Sequence, residues 1–114
     1  MALALFAGIP VSDYAAVLPW YVRLLGRAPD FLAHATEAVW DLGADQSLYV
    51  VELPEHAGHA RVTAFVDDLD AVVGAITGRG IEPALRETYG NGVRKITFRD
   101  ADGNEIGFGG APLG

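Results

Sequence analysis

Three stretches of this sequence have residue types and spacing that could do chemistry, two through metal-ligating side chains and one through a glycine-rich backbone. The first is Glu52-Leu-Pro-Glu-His-Ala-Gly-His59, in which Glu52, His56 and His59 have a spacing that could suggest a metal site on a helix. Pro54 and Gly58 place it in a loop instead, where spacing does not fix geometry, so a solvated loop is expected. The second is Asp100-Ala-Asp-Gly-Asn-Glu105, superficially similar to a calcium loop. Such a loop needs glycine at its sixth position and glutamate at its twelfth, and this chain has Glu105 and Ala111 there, which makes a tight turn the better reading. The third is Gly107-Phe-Gly-Gly110. It precedes Ala111-Pro112, so no helix N-terminus follows to bind a phosphate. No nucleophile elbow, phosphate loop or dinucleotide fingerprint occurs. The chain has no cysteine, which excludes disulfides, thiolate metal sites and a cysteine nucleophile.

The 114 residues suit one domain or two small fused repeats, and the 51% hydrophobic content is enough for a core. A formal net charge of −7 repels phosphate backbones and anionic lipid, so no nucleic-acid or membrane partner is expected, although a local basic patch remains open to an anionic ligand. The absence of cysteine fits a reducing cytoplasm, the expected location. The apolar start has no basic leader and is too short to span a bilayer; it reads as a first strand.

The elements that must position any site follow from hydrophobic spacing. Residues 3–11 predict a strand, and Ser12 or Asp13 a cap for a helix bearing Val17, Leu18, Tyr21, Leu24 and Leu25. Gly26 ends that helix, and Pro19 inside it predicts a kink. Strands are predicted at about 31–36, 37–42 and 47–53, with a turn at 43–46. The loop 54–58 separates this unit from a second one. There, strand 61–67 is followed by a helix capped by Asp67 or Asp68 and reaching Gly78, with Leu69, Val72, Val73 and Ile76 on its apolar face. Three more strands are predicted: one ending near Tyr89, one at 93–99 and one at 106–109. Gly90-Asn91-Gly92 and Asp102-Gly103-Asn104 supply their turns.

The halves repeat. Val11-Ser-Asp-Tyr-Ala-Ala-Val17 matches Val66-Asp-Asp-Leu-Asp-Ala-Val72, Arg27-Ala-Pro29 matches Ile81-Glu-Pro83, and Gln46-Ser-Leu-Tyr-Val50 matches Asn104-Glu-Ile-Gly-Phe108. The expected architecture is α+β: two βαβββ repeats, about 1–54 and 60–110, forming a half-barrel within one domain over 1–114. With Trp20-Tyr21-Val-Arg-Leu-Leu-Gly26, Phe98-Arg-Asp-Ala-Asp-Gly-Asn104 and Val66-Asp-Asp-Leu-Asp-Ala71, nearly the whole chain resembles the vicinal oxygen chelate superfamily of glyoxalases, bleomycin-resistance proteins and extradiol dioxygenases. That group usually has proline where Ala101 stands. The fold hosts isomerases, dioxygenases, thiol transferases and pure binders, so the resemblance leaves the activity open.

Metal-dependent members of the superfamily hold a divalent ion with four side chains, one from each of four strands. Counting from the motifs, the resemblance equates those positions with Phe6, Tyr49, Arg61 and Gly107. Phe and Gly offer no donor and a guanidinium repels a cation; moving one step either way reaches only apolar residues. No metal and no cofactor are expected. Strand alternation turns Phe6, Tyr49, Arg61, Thr63, Phe65 and Glu105 toward the concave trough, with Gly8, Val51, Asp67 and Gly107. Trp40 is expected to join them, by analogy with its repeat partner Phe98. The aromatics suit a flat ligand, and Arg61 suits a carboxylate, phenolate or enolate, or else a salt bridge to Glu105.

The expected function is a metal-independent small-molecule binder of the bleomycin-resistance type, holding an aromatic or anionic metabolite or drug. The alternative is a metal-independent isomerase or lyase using Arg61 with Glu105 or Tyr49; a regulatory domain with a filled trough is a third possibility. A homodimer is expected, because half-barrel units leave sheet edges and apolar faces for pairing to cover.

Overall fold

The computed structural model of the chain describes residues 3–113. The element order is β1 (Leu5–Val11), α1 (Tyr14–Leu25), β2 (Phe31–His34), β3 (Glu37–Gly43), β4 (Gln46–Glu52), β5 (Arg61–Phe65), α2 (Leu69–Gly78), β6 (Leu85–Thr88), β7 (Arg94–Arg99) and β8 (Glu105–Gly110). This is two βαβββ units in an α+β fold. Each unit forms its own four-stranded sheet, in the orders β1-β4-β3-β2 and β5-β8-β7-β6, and among the described residues no strand of one sheet is hydrogen-bonded to the other. The first strand of each unit runs parallel to its own last strand, Leu5 to Val11 against Gln46 to Glu52 and Arg61 to Phe65 against Glu105 to Gly109. There is no closed barrel. The inner edges, β1 and β5, are therefore unpaired.

Local chemistry sets the helix limits. Asp13 is the N-cap of α1 and accepts from the Ala16 N–H at 3.1 Å, while Asp68 caps α2 through the Ala71 N–H at 3.1 Å. Each satisfies one of the free donors of a first turn. Gly26 takes φ 79° at the end of α1, a left-handed conformation open to glycine, and its N–H returns to the Val22 carbonyl at 2.9 Å. Helix α1 runs through Pro19 without a break. The ring costs a hydrogen bond, but Tyr14, Val17, Tyr21 and Leu24 hold the helix on both sides by burying their side chains. At the hairpin after β6, only Gly92 has positive φ, at 87°. Asn91 accepts from the Val93 N–H, so the loop needs less left-handed backbone than its two glycines suggest.

The helix-facing sides of both sheets share one core. Ile9, Tyr21, Trp40, Leu48, Ile76, Phe98 and Ile106 all belong to it. Each large side chain buried there contributes roughly 2–3 kcal/mol relative to exposure. Trp40 is among them, at 0% exposure, and its Nε1–H donates to the Arg27 carbonyl at 3.0 Å. The expectation that Trp40 lines the trough is therefore corrected. It does match Phe98 in the repeat, but both occupy the helix-facing side, opposite Leu48 and Ile106.

A buried polar cluster ties the units together. Asn104, fully buried, accepts on Oδ1 from the N–H groups of Gly58 and Ala60 at 3.1 and 3.0 Å. Its Nδ2 donates to the Pro10 carbonyl at 2.8 Å and to Asp100 at 2.9 Å. Asp100 also accepts from the Tyr21 hydroxyl at 2.7 Å and from the N–H groups of Asp102 and Asn104. Burial, then the bond to Asp100 and its charge, push the Tyr21 hydroxyl well above its ordinary pKa, so it stays a donor. The Arg79 guanidinium crosses from the end of α2 to the carbonyls of Arg23 and Leu24, closing the C-terminus of α1. Among the described residues, no helix is long and apolar enough to cross a membrane.

Candidate ligand-binding faces

Strand alternation leaves the side of each sheet opposite the helices open. On the first sheet, Ile9 and Val11 enter the core, so Phe6, Gly8 and Pro10 face outward. Tyr49 pairs with Gly8 in the parallel register. A Cβ on Gly8 would lie 2.5 Å from both Cζ and the hydroxyl of Tyr49, so the ring lies across the bare glycine backbone. Val39 and Val51 share this face and are buried outside the core cluster. Phe6 is 55% exposed.

On the second sheet, Val62, Ala64, Ile96, Phe98, Ile106 and Phe108 pack inward. Their alternates form cross-strand rows on the open face. One row is Arg61, Glu105 and Arg99, joined by contacts of 3.4 Å (Arg61–Glu105) and 3.1 Å (Arg99–Glu105). The next is Thr63, Gly107 and Thr97. The third is Phe65, Gly109 and Lys95, with Phe65 65% exposed. The bond from Arg99, with the charges of Arg99 and Arg61, holds the Glu105 carboxyl below the ordinary carboxylate range. The salt bridge expected for Arg61 is thus present, but Glu105 is shared with Arg99 and the Arg61 side chain remains 77% exposed.

The structure therefore brings Arg61, Thr63, Phe65 and Glu105 together on one sheet, and Phe6 and Tyr49 together on the other. Val51 shares the first face but is buried, and β5 ends at Phe65, so Asp67 lies beyond the strand. Lys95, Thr97 and Arg99 belong to the second face and were missed. The signal was available, because Ile96 and Phe98 as core residues send their alternates to the open side. A cleft opens beside these faces. Its volume is about 480 Å³, and it opens at the seam between β1 and β5, lined mostly by helix-facing residues such as Ala7, Leu48, Val62, Ile106 and Phe108. It marks the gap between the two unpaired edges, and Thr63 and Phe65 of the second open face also line it.

The four positions equated with metal ligands do not fit a divalent ion. Phe6 and Gly107 supply no donor, Arg61 supplies positive charge, and Tyr49 alone cannot bind one. No group of three or more His, Asp or Glu side chains suited to a metal occurs among the described residues. Glu52 instead accepts from the Tyr14 N–H at 3.1 Å, and Asp100 is committed to its turn.

Two βαβββ units about a shared core, each with its first strand parallel to its last, form the architecture of the vicinal oxygen chelate superfamily. A glyoxalase/bleomycin resistance protein from Catenulispora acidiphila is 56% identical over 97% of this chain and 100% of that one, with a TM-score of 0.93. Another, from Streptomyces sp. CB03234, is 32% identical over 94% of this chain and 98% of that one, with a TM-score of 0.67. TnmS3, an antibiotic binding protein from the same Streptomyces, is 28% identical over 99% of this chain and 98% of that one, with a TM-score of 0.72. No family model and no curated protein matches. The chain belongs to the glyoxalase/bleomycin resistance proteins of this superfamily.

Proposed function

We propose that this protein binds a small aromatic or anionic metabolite or drug without a metal, on the open faces of its sheets. The observation that carries this reading is the exposure of Phe6 and Phe65, 55% and 65%, beside glycine-floored strands. Aromatic side chains that only filled the interior would be covered, as Trp40 and Phe98 are. Covering such a ring recovers roughly 2 kcal/mol, which a flat apolar ligand can supply. The likeness to an antibiotic binding protein supports the same class. The lowered pKa of Glu105 makes it a weak base, which disfavours the isomerase or lyase alternative with Arg61 and Tyr49.

The functional unit is a homodimer in the cytoplasm. The unpaired edges of β1 and β5, with Leu3 and Leu5 exposed at the start of the first strand, give a second copy apolar surface and free backbone groups to cover. Native mass spectrometry of protein purified from its source, with and without a chelator, tests the whole reading. Dimer mass, a retained non-covalent organic ligand and no stoichiometric metal are expected. A divalent ion whose removal releases the ligand would overturn it.

A further inference from the structure

We propose that the second sheet carries an oxyanion subsite built from Lys95, Thr63 and Thr97 over Gly107, flanked by Arg61 and Arg99. The subsite takes the carboxylate, sulfonate or phosphate of a ligand whose flat apolar body lies against Phe65. The inference rests on the open faces being the ligand site and deepens that reading. Gly107 is the centre of the arrangement. A Cβ there would lie 2.7 Å from Cε of Lys95, 3.4 Å from Oγ1 of Thr63 and 3.6 Å from Oγ1 of Thr97. The Lys95 stem thus packs over the Gly107 backbone between two hydroxyls, of which Thr97 is 2% exposed and becomes reachable when the stem swings toward a ligand.

The charge balance of this face is opposite to that of the chain. Three of the eight Lys and Arg residues, Arg61, Lys95 and Arg99, share it, on a protein of net charge −7. The carboxylates on the face are Glu105, held between the two arginines, and Glu87, the cross-strand neighbour of Lys95. No ion pair within 4.0 Å involves Lys95 among the described residues. Three of the five arginines away from this face show what a committed cation looks like, while Arg23 and Arg86 make no ion pair among the described residues. Arg94 pairs with Asp70 at 2.9 Å, Arg27 pairs with Asp30 at 2.7 Å, and Arg79 closes a helix end. A lysine without a carboxylate partner, beside two hydroxyl donors and next to an exposed aromatic ring, matches the parts of an amphipathic anion: charge-assisted bonds for one end and flat area for the other.

The test uses two dyes with the same rings, anilinonaphthalene sulfonate and its neutral parent phenylnaphthylamine, titrated by fluorescence against the full chain. The sulfonate should bind about tenfold more tightly, the scale of one charge-assisted hydrogen bond, and its advantage should shrink as salt rises. K95M and, separately, T63V should remove most of that advantage while leaving the neutral dye unaffected. R86M carries the same charge change on the opposite side of the second sheet and should preserve the advantage. Circular dichroism melts establish that each variant is folded. Equal binding of the two dyes, or sulfonate binding indifferent to K95M and T63V, overturns the subsite and leaves the ligand face standing. Failure of both dyes to bind overturns the ligand face and the subsite with it.

Discussion

Replacing Asn104 removes the joint between the two units, and the structure sets the size of the loss. Asn104→Ala deletes four hydrogen bonds, two accepted from Gly58 and Ala60 and two donated to Pro10 and Asp100, all around a side chain at 0% exposure. Each is worth about 1 kcal/mol net, and some of the abandoned partners stay buried, so the loss should be about 3–5 kcal/mol. A domain of this size has roughly 5–15 kcal/mol in total, so the variant should lie near the edge of stability, with Tm lowered by roughly 15 °C. Asn104→Asp sharpens the test. One carboxylate oxygen can still accept from Gly58 and Ala60, but the other faces the Pro10 carbonyl and the Asp100 carboxylate with no proton to give. Folding then raises the pKa of the introduced carboxyl. Its cost is therefore largest above that raised pKa and shrinks as pH falls and the proton returns. Urea unfolding of the parent, N104A and N104D between pH 5 and pH 8 measures both effects. A loss under about 1 kcal/mol for N104A, or a pH-independent gap between parent and N104D, would refute the reasoning.

Two further outcomes follow from the geometry. Gly74 lies inside α2 with nothing within 4 Å of an added Cβ, so G74A should raise stability by about 1 kcal/mol. At Gly110 the Cβ would meet Leu69 Cβ at 2.7 Å, so G110A should cost about 1–3 kcal/mol; paired urea titrations check both signs. Asp30, Asp70 and Glu105 all have depressed folded-state pKa values, the first mainly through the Asp41 N–H, the others through Arg94 and Arg99. Their contribution is full above the ordinary values of 3.8 and 4.5 and is lost as pH falls through the depressed ones. The urea midpoint should therefore fall with acid in that window, and R99M should flatten part of the slope; an unchanged slope would remove the assigned cause from Glu105.

Much of the architecture was legible because its signals are local. Asp13 and Asp68 announce the helix starts, Gly26 announces an end, and apolar alternation locates the strands. The misplaced Trp40 has a different origin. It was placed by analogy with Phe98, but alternation with Ile96 turns Phe98 to the helix-facing side, and Trp40 follows its partner there. Asn104 looked like an ordinary turn residue, and its partners at 10, 58, 60 and 100 emerge only when distant segments meet. Lys95 was overlooked for a related reason. A lysine in a strand reads as solvated until the glycine beneath it, on the neighbouring strand, is known.

The parallel pairing of first and last strands has a consequence for synthesis. Leu5 leaves the ribosome with no partner until Gln46 follows, so the opening strand waits through nearly the whole of its own unit. Once that unit is made its sheet can pair, while the other half of the shared core is still being synthesised. The seal comes later, because the Asn104 side chain that fastens Pro10 to the second half is made only after β5, α2, β6 and β7. A chain stalled before that residue would hold a first half whose core is half covered and has no clasp, and proteases would find it there.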